Sequence, residues 1–247
     1  MQFEADLCHL TRAAEFKRGI AAAPTTARSL RVWFCDPKNY AFLELFTRVE
    51  VLEVAGWTTD SLVDLQWLTE LRELRILHMP KVITLGSFPI LKKLEVLKFE
   101  TLPSEDPKCR LIESWRPLGH LPSLRELEIR GFKPVEGGLT TLAGLGSLRA
   151  LSTSDSYSLL DYAELLALRP DIAGNWREPV WRSEHPCPKN CNGVMTKLNG
   201  TRSGRRRHWV CSTCDRAQVQ THIELFESAV QRAREHLGGK EHGCSCS

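Results

Sequence analysis

Residues 91–99 read Leu91-Lys92-Lys93-Leu94-Glu95-Val96-Leu97-Lys98-Phe99, and residues 121–129 read Leu121-Pro122-Ser123-Leu124-Arg125-Glu126-Leu127-Glu128-Ile129. Both stretches end in an apolar pair with one polar residue between, the alternation of a half-buried strand. Working outward, that pair recurs as Leu30-Arg31-Val32, Leu52-Glu53-Val54, Leu77-His78-Met79, Leu97-Lys98-Phe99 and Leu127-Glu128-Ile129, with a weaker sixth at Leu151-Ser152-Thr153. Three residues before each leading leucine stands Ala27, Val49, Leu74, Leu94, Leu124 or Leu148. Three further upstream stands Pro24, Phe46, Leu71, Leu91, Leu121 or Leu145. The intervals are 22, 25, 20, 30 and 24 residues. A run of amphipathic helices would also place apolar residues at every third position. The β-branched and aromatic fill of EVLEV, RELEI and EVLKF favours short strands.

This pattern, L-x-x-L-x-x-L-x-L, resembles the leucine-rich repeat family over about residues 24–160. The resemblance implies an α/β solenoid with a parallel β-sheet on its concave face. Return segments such as Ser61–Leu68 are expected as short helices on the convex side. One unit cannot bury its apolar side alone, so neighbours stack around a shared core. The family often carries Asn or Cys five residues after the leading leucine. Here that place holds Cys35, Trp57, Val82, Leu102, Phe132 and Ser156, so only the first fits and apolar packing is expected to close the other turns. Residues 1–20 read as an amphipathic helix, with Leu7, Leu10, Ala14 and Phe16 among its apolar positions.

The residue between the two core positions of each strand points outward. That column reads Arg31, Glu53, His78, Lys98, Glu128 and Ser152, and the next reads Trp33, Ala55, Pro80, Glu100, Arg130 and Ser154. Mixed charge argues against a phosphate backbone as the partner. Trp and Arg favour a protein partner. Arg31, Trp33, Glu53, His78, Lys98, Glu100, Glu128 and Arg130 are therefore the candidate protein-binding residues.

Nine cysteines are present. Cys8, Cys35 and Cys109 stand alone, and Cys244 and Cys246 lie in a polar tail with His242. The remaining four form Cys187-x3-Cys191, 19 intervening residues, and Cys211-x2-Cys214. Thiolates at that spacing can wrap one tetrahedral Zn²⁺, and four ligands make the site structural. Free thiols or a rubredoxin-type iron centre are the alternatives. Two extended stretches, Val194–Leu198 and Arg207–Val210, flank an Asn199-Gly200 turn, so the segment looks like a zinc ribbon: two knuckles on a β-hairpin. Arg202, Arg205, Arg206 and Arg207 lie beside Trp209 and offer an alternative nucleic-acid contact. Residues 222–237 form an amphipathic helix, with Gly238-Gly239 as its stop.

The 247 residues carry 33 basic and 30 acidic side chains, and 42% are hydrophobic. That composition belongs to a soluble globular protein and excludes a disordered or collagen-like chain. Residues 1–181 are net −2 and residues 182–247 net +5, which suggests two parts. The organisation expected is a helical cap at 1–23, the solenoid at 24–180, the ribbon at 181–221, and a helix with a polar tail at 222–247. The first 20 residues contain no apolar run and read as no secretory signal. Close cysteine pairs without such a signal point to a reducing compartment, the cytoplasm. No G-x-S-x-G, P-loop, H-E-x-x-H or dinucleotide fingerprint occurs. The expected function is a non-enzymatic protein-interaction scaffold, an adaptor or immunity-type binder, with no membrane and no small-molecule substrate. The chain resembles small bacterial leucine-rich repeat proteins, with which its 22 arginines against 11 lysines agree.

Overall fold

The computed structural model describes residues 2–35, 40–56, 61–78, 85–101, 110–154, 157–200 and 209–241. The chain forms two compact units, residues 1–151 and 152–247. Residues 152–180, assigned above to the solenoid, therefore group with the C-terminal part.

In the first unit, β1 (Ala5–Cys8) is followed by α1 (Ala13–Ala22). Then come β2 (Ser29–Trp33), β3 (Val51–Ala55), β4 (Glu73–Leu77), β5 (Val96–Glu100) and β6 (Arg110–Ile112). They are followed by β7 (Glu126–Arg130), β8 (Phe132–Pro134) and β9 (Ala150–Thr153). Seven of these form one sheet in the order β1-β2-β3-β4-β5-β7-β9, while β6 and β8 pair separately. From β1 to β7 the neighbouring strands of this sheet pair in parallel. Each unit thus contributes one strand and returns outside the sheet, the leucine-rich type of repeat.

The return segments are 3₁₀ helices, at Ala41–Leu45, Val63–Trp67, Leu85–Ser87, Arg116–His120 and Leu139–Gly144. A 3₁₀ helix has three residues per turn, so apolar residues three apart stack on one edge. Leu62, Leu65, Leu68, Leu71 and Leu74 all lie fully buried in this way. Leu139, Leu142, Leu145, Leu148 and Leu151 repeat the arrangement. The backbone follows the same step: Leu65, Leu68 and Leu71 N–H groups donate to the carbonyls of Leu62, Leu65 and Leu68. Burying each leucine contributes about 1.5–3 kcal/mol, so the ladder is the main source of cohesion.

Two sequence expectations are corrected here. Leu52 pairs with Leu74, and Leu74 with Leu97. The leading leucine of the third strand is therefore Leu74, not Leu77. A ladder with period three looks the same when slid by three residues, and only the strand's length and its alternation decide the register. His78 consequently leaves the outward column and Arg75 takes its place. The second correction concerns residues 1–20. Ala5 and Leu7 are buried while Asp6 is exposed, a period of two, and this segment pairs with β2 as the edge strand. Only Ala13–Ala22 is helical.

Cys35 does what the family's turn residue does. Its buried Sγ–H reaches the Leu7 carbonyl at 3.2 Å and the Trp33 carbonyl at 3.5 Å. Phe132 is buried against Phe99, with ring centroids 5.9 Å apart, so apolar packing serves at that turn. Trp57, Val82, Leu102 and Ser156 lie outside the described residues.

The second unit holds α2 (Leu159–Leu168), β10 (Val180–Pro186), β11 (Val194–Leu198), β12 (Trp209–Cys211) and α3 (Arg216–Glu241). Ser158 and Asp161 close a capping box at the start of α2, satisfying two end donors. The three strands form an antiparallel sheet with β11 in the centre. One face carries Leu198 and Val210, packed with Val180 against Val219 and Ile223 of α3. α3 begins six residues before the expected start and continues through Gly238 and Gly239; it packs against α2, and its Phe226, Ala229 and Val230 are buried. The Asn199-Gly200 turn is present. Gly200 has φ +76°, and a Cβ there would stand 2.5 Å from the Leu159 nitrogen, so only glycine fits.

Candidate functional site

The strongest constellation is the cysteine cluster. Sγ atoms of Cys187, Cys191, Cys211 and Cys214 all lie within 4.8 Å of one another. Cys187–Cys214 is 3.9 Å, Cys191–Cys211 3.3 Å and Cys191–Cys214 3.4 Å. A disulfide needs about 2.05 Å, so the four are free thiols. Zn–S bonds of about 2.3 Å at tetrahedral angles put sulfurs about 3.8 Å apart, and the cluster brackets that spacing. It could hold a metal ion.

Two knuckles build it. In the first, Asn190 takes φ +55°, a conformation asparagine tolerates, and its N–H bonds the Cys187 carbonyl at 3.0 Å. Lys189 and Gly193 N–H groups donate to the Cys187 and Cys191 sulfurs, both at 3.4 Å. In the second, Thr213 and Cys214 N–H groups donate to the Cys211 sulfur, both at 3.4 Å. A Cβ at Gly193 would lie 2.5 Å from that sulfur, so glycine is what lets the knuckles close. Asp215 accepts from the Cys211 N–H at 2.8 Å and ties the knuckle to the start of α3.

Backbone donors aimed at sulfur favour thiolate. Without a cation the four titrate as a set. The Cys214 N–H, first among its donors, draws Cys211 down to about 6. Cys214 goes up to about 12, because its thiol hydrogen-bonds the Cys191 sulfur. One negative charge is already favoured at the cluster's buried side, and a divalent cation is what would let the others form.

The outward face of the seven-stranded sheet is the second candidate. Its first column reads Asp6, Arg31, Glu53, Arg75, Lys98 and Glu128 in register. These charges pair with one another. Arg31 bonds Asp6, holding that carboxyl below its ordinary range. Arg75 reaches Glu53 at 3.5 Å and Glu73 at 2.7 Å. Lys98 lies 3.6 Å from Glu128, which Arg130 also bonds. Glu100 sits level with Leu77 and Arg130 in the second column. Arg31 is further held over the rings of Phe3 and Trp33, at 5.3 and 5.0 Å. The column is thus largely self-neutralised, which the sequence did not reveal, since the reading put His78 in the place that Arg75 takes.

At the C-terminal ends of these strands the character changes. His9, Phe34 and His78 each follow a strand and each has positive φ, at 54°, 48° and 55°. His9 stacks on Phe34 at 5.5 Å; Trp33 meets Phe34 edge-on at 6.2 Å; Phe34 and His78 are 6.4 Å apart. Gly56, with φ +76°, occupies the matching place after β3. A Cβ there would come within 3.2 Å of the Phe34 ring, so glycine leaves room for Phe34 to lie across it. His78 was predicted as a column residue, and the fold brings it near Phe34 instead. His9 and Phe34 were missed, and the only signal was an aromatic residue directly after a strand. Pro80 lies outside the described residues, as do Arg202, Arg205, Arg206, Arg207, Cys109, His242, Cys244 and Cys246. Trp209 is described and stands exposed at the start of β12.

Together these features define a leucine-rich repeat unit joined to a smaller unit with a four-thiol cluster. The fold is similar to an internalin (inlF) of Listeria monocytogenes, with 14% identity and a TM-score of 0.44, covering 66% of this chain and 50% of that one. It is also similar to internalin C2 of the same organism, with 21% identity and a TM-score of 0.40, covering 59% and 58%. The chain therefore spans about half the length of the first. No protein-family model matches the sequence, and no characterised protein sequence matches it. Among the described residues, no helix is long and apolar enough to cross a membrane.

Proposed function

We propose that the chain is a non-enzymatic protein-interaction scaffold of the cytoplasm, in which the sheet's outward face binds a protein partner. The observation that carries this is the cluster of Trp33, Phe34, His9 and His78. Three non-glycine residues held at positive φ cost on the order of 1 kcal/mol each, and such strain persists where it positions a functional surface. Aromatic side chains on a rigid sheet lose little entropy on binding, which suits an anchor. Arg31, Glu53, Lys98, Glu100, Glu128 and Arg130 form the rim. Their mutual pairing sets specificity through shape and sign rather than adding much affinity.

The C-terminal module is a zinc ribbon holding one structural Zn²⁺ on Cys187, Cys191, Cys211 and Cys214. A core of five apolar side chains is too small to hold a three-stranded sheet and its knuckles, and a bound cation supplies the missing free energy. Two measurements test the two halves. Affinity capture from the native host with wild type and with the folded Trp33→Ala/Phe34→Ala variant should differ by loss of one partner; identical recovery rejects the face. Elemental analysis of reduced, freshly purified protein should give one zinc per chain. Iron, or no metal, rejects zinc.

A further inference from the structure

The four sulfurs are not equally reachable from solvent. Cys187 and Cys211 are 3% and 4% exposed. Cys187 directly follows β10 and Cys211 closes β12, so each sits at a strand end. Cys191 and Cys214 are the second cysteines of their knuckles and lie beyond those ends. Cys191 is half-buried and Cys214 is exposed.

The two accessible sulfurs are also neighbours. They lie 3.4 Å apart, and each belongs to a different knuckle. Cys211 is as close to Cys191, at 3.3 Å, but it is buried and accepts the Thr213 and Cys214 N–H groups inside its own knuckle. Cys187 is buried too and stands farther from Cys214, at 3.9 Å. An oxidant arriving from solvent therefore meets Cys214 first, and the partly open sulfur beside it is Cys191. Exposure and distance select the same pair.

We propose that Cys191 and Cys214 form a disulfide when the protein meets a peroxide, and that this bond ejects the metal ion. The ion rests on the ribbon reading above; the disulfide rests on the sulfur geometry alone. The Cys214 thiolate attacks one peroxide oxygen, the O–O bond breaks, and hydroxide leaves and is protonated to water, which gives a sulfenic acid. The Cys191 thiolate then attacks that sulfur, the S–O bond breaks, and a second hydroxide leaves as water. Two thiolates lose two electrons, and one peroxide is reduced to two waters. The sulfurs close from 3.4 Å to about 2.05 Å, a short movement. Cys187 and Cys211 alone are fewer ligands than a structural Zn²⁺ site uses, and the ion departs. The new bond joins the same two knuckles that the ion joins. Cys191 lies between β10 and β11 and Cys214 between β12 and α3, so the bond closes the β11–β12 hairpin across its open end. The module exchanges one cross-link for another. In the reducing cytoplasm proposed above, the metal-loaded form is the resting state and peroxide is the signal.

The test is hydrogen peroxide treatment of full-length protein, purified reduced and with its zinc content measured beforehand. Peptide mass mapping without reduction should place the disulfide at Cys191–Cys214, and a chromogenic chelator should record one zinc ion released for each disulfide formed. Dithiothreitol with added zinc should restore the starting form. In melts of the second unit, the oxidised protein should unfold above protein stripped of metal by a chelator under reducing conditions, because the disulfide constrains the unfolded hairpin. The quadruple variant Cys8→Ser/Cys109→Ser/Cys244→Ser/Cys246→Ser keeps all four candidate ligands and should release zinc at the unchanged rate. The same mapping on the stripped protein makes the two readings separable: absence of zinc at the start defeats the ribbon reading, whereas the wrong disulfide defeats this one. A dominant disulfide between any other two cysteines, zinc release without a disulfide, or an oxidised form that melts no higher than the stripped form would overturn the proposal.

Discussion

The two units are held together by different means. Residues 1–151 contain successive ladders in which buried side chains recur every third residue, among them Tyr40, Leu43 and Phe46, and Leu142, Leu145 and Leu148. Each repeat hands its apolar edge to the next, so cohesion grows with repeat number. Among the described residues of 152–247 there is no such ladder. Their small sheet buries Leu198 and Val210 against one helix, and the four sulfurs stand where a larger domain would place more core. A repeating chain can distribute its stability, whereas a short hairpin must concentrate it at one point.

That contrast predicts unequal responses to damage. The largest effect should follow Cys211→Ser, which removes one sulfur and three of the close contacts around it. We expect loss of the metal and of the ordered β10–β12 sheet, while the repeat unit keeps its far-UV circular dichroism; loss of both units together would break the contrast. Next is Leu74→Ala, at the centre of the ladder and fully buried. It should lower stability by about 2–5 kcal/mol in urea melts followed in the repeat unit, without changing the metal stoichiometry. Gly131→Ala comes third. Gly131 has φ +74°, and a Cβ would stand 2.0 Å from Thr101 Oγ1. A loss of about 1–3 kcal/mol is expected, partly relieved by adding Thr101→Ala.

A pH series sharpens the comparison on the other side. His222 is buried and donates to the Asn199 carbonyl at 2.9 Å, and burial pushes its imidazole below the ordinary 6.5. As pH falls through about 6.5 the unfolded chain takes up this proton before the native one does, so stability is full above that value and declines below it. The second unit should show this slope in melts between pH 5 and pH 8, and His222→Gln should remove it. The smallest effect belongs to the exposed ladder of Arg28, Glu50, Arg72 and Glu95, with Arg72 2.6 Å from Glu95. Arg72→Ala should change stability by less than about 1 kcal/mol and by less still at high salt.

How far each region could be read from sequence follows the same division. The repeats were legible because their period is enforced over many copies, and the four cysteines because spacing constrains ligands. The register at Leu74 was not, since a three-residue slide leaves the apolar pattern intact. The first strand was taken for helix because Leu7 and Leu10 also fit a helical step; only burial on one side of Asp6 distinguishes them. The aromatic group at His9, Phe34 and His78 was invisible for another reason. It joins residues about two dozen or more positions apart, and only correct strand register brings them level. The edge-on contact of Trp181 with Trp209 was hidden likewise, because the two lie on either side of an intervening strand.

The most direct test of the two-part account is amide hydrogen exchange, read by peptide mass, before and after treatment with a strong zinc chelator under reducing conditions. Protection should vanish from strands Val180–Pro186, Val194–Leu198 and Trp209–Cys211 while strands Ser29–Trp33 through Glu126–Arg130 keep theirs. Retained protection in the hairpin after the metal has gone, or exchange appearing equally in the repeats, would contradict it.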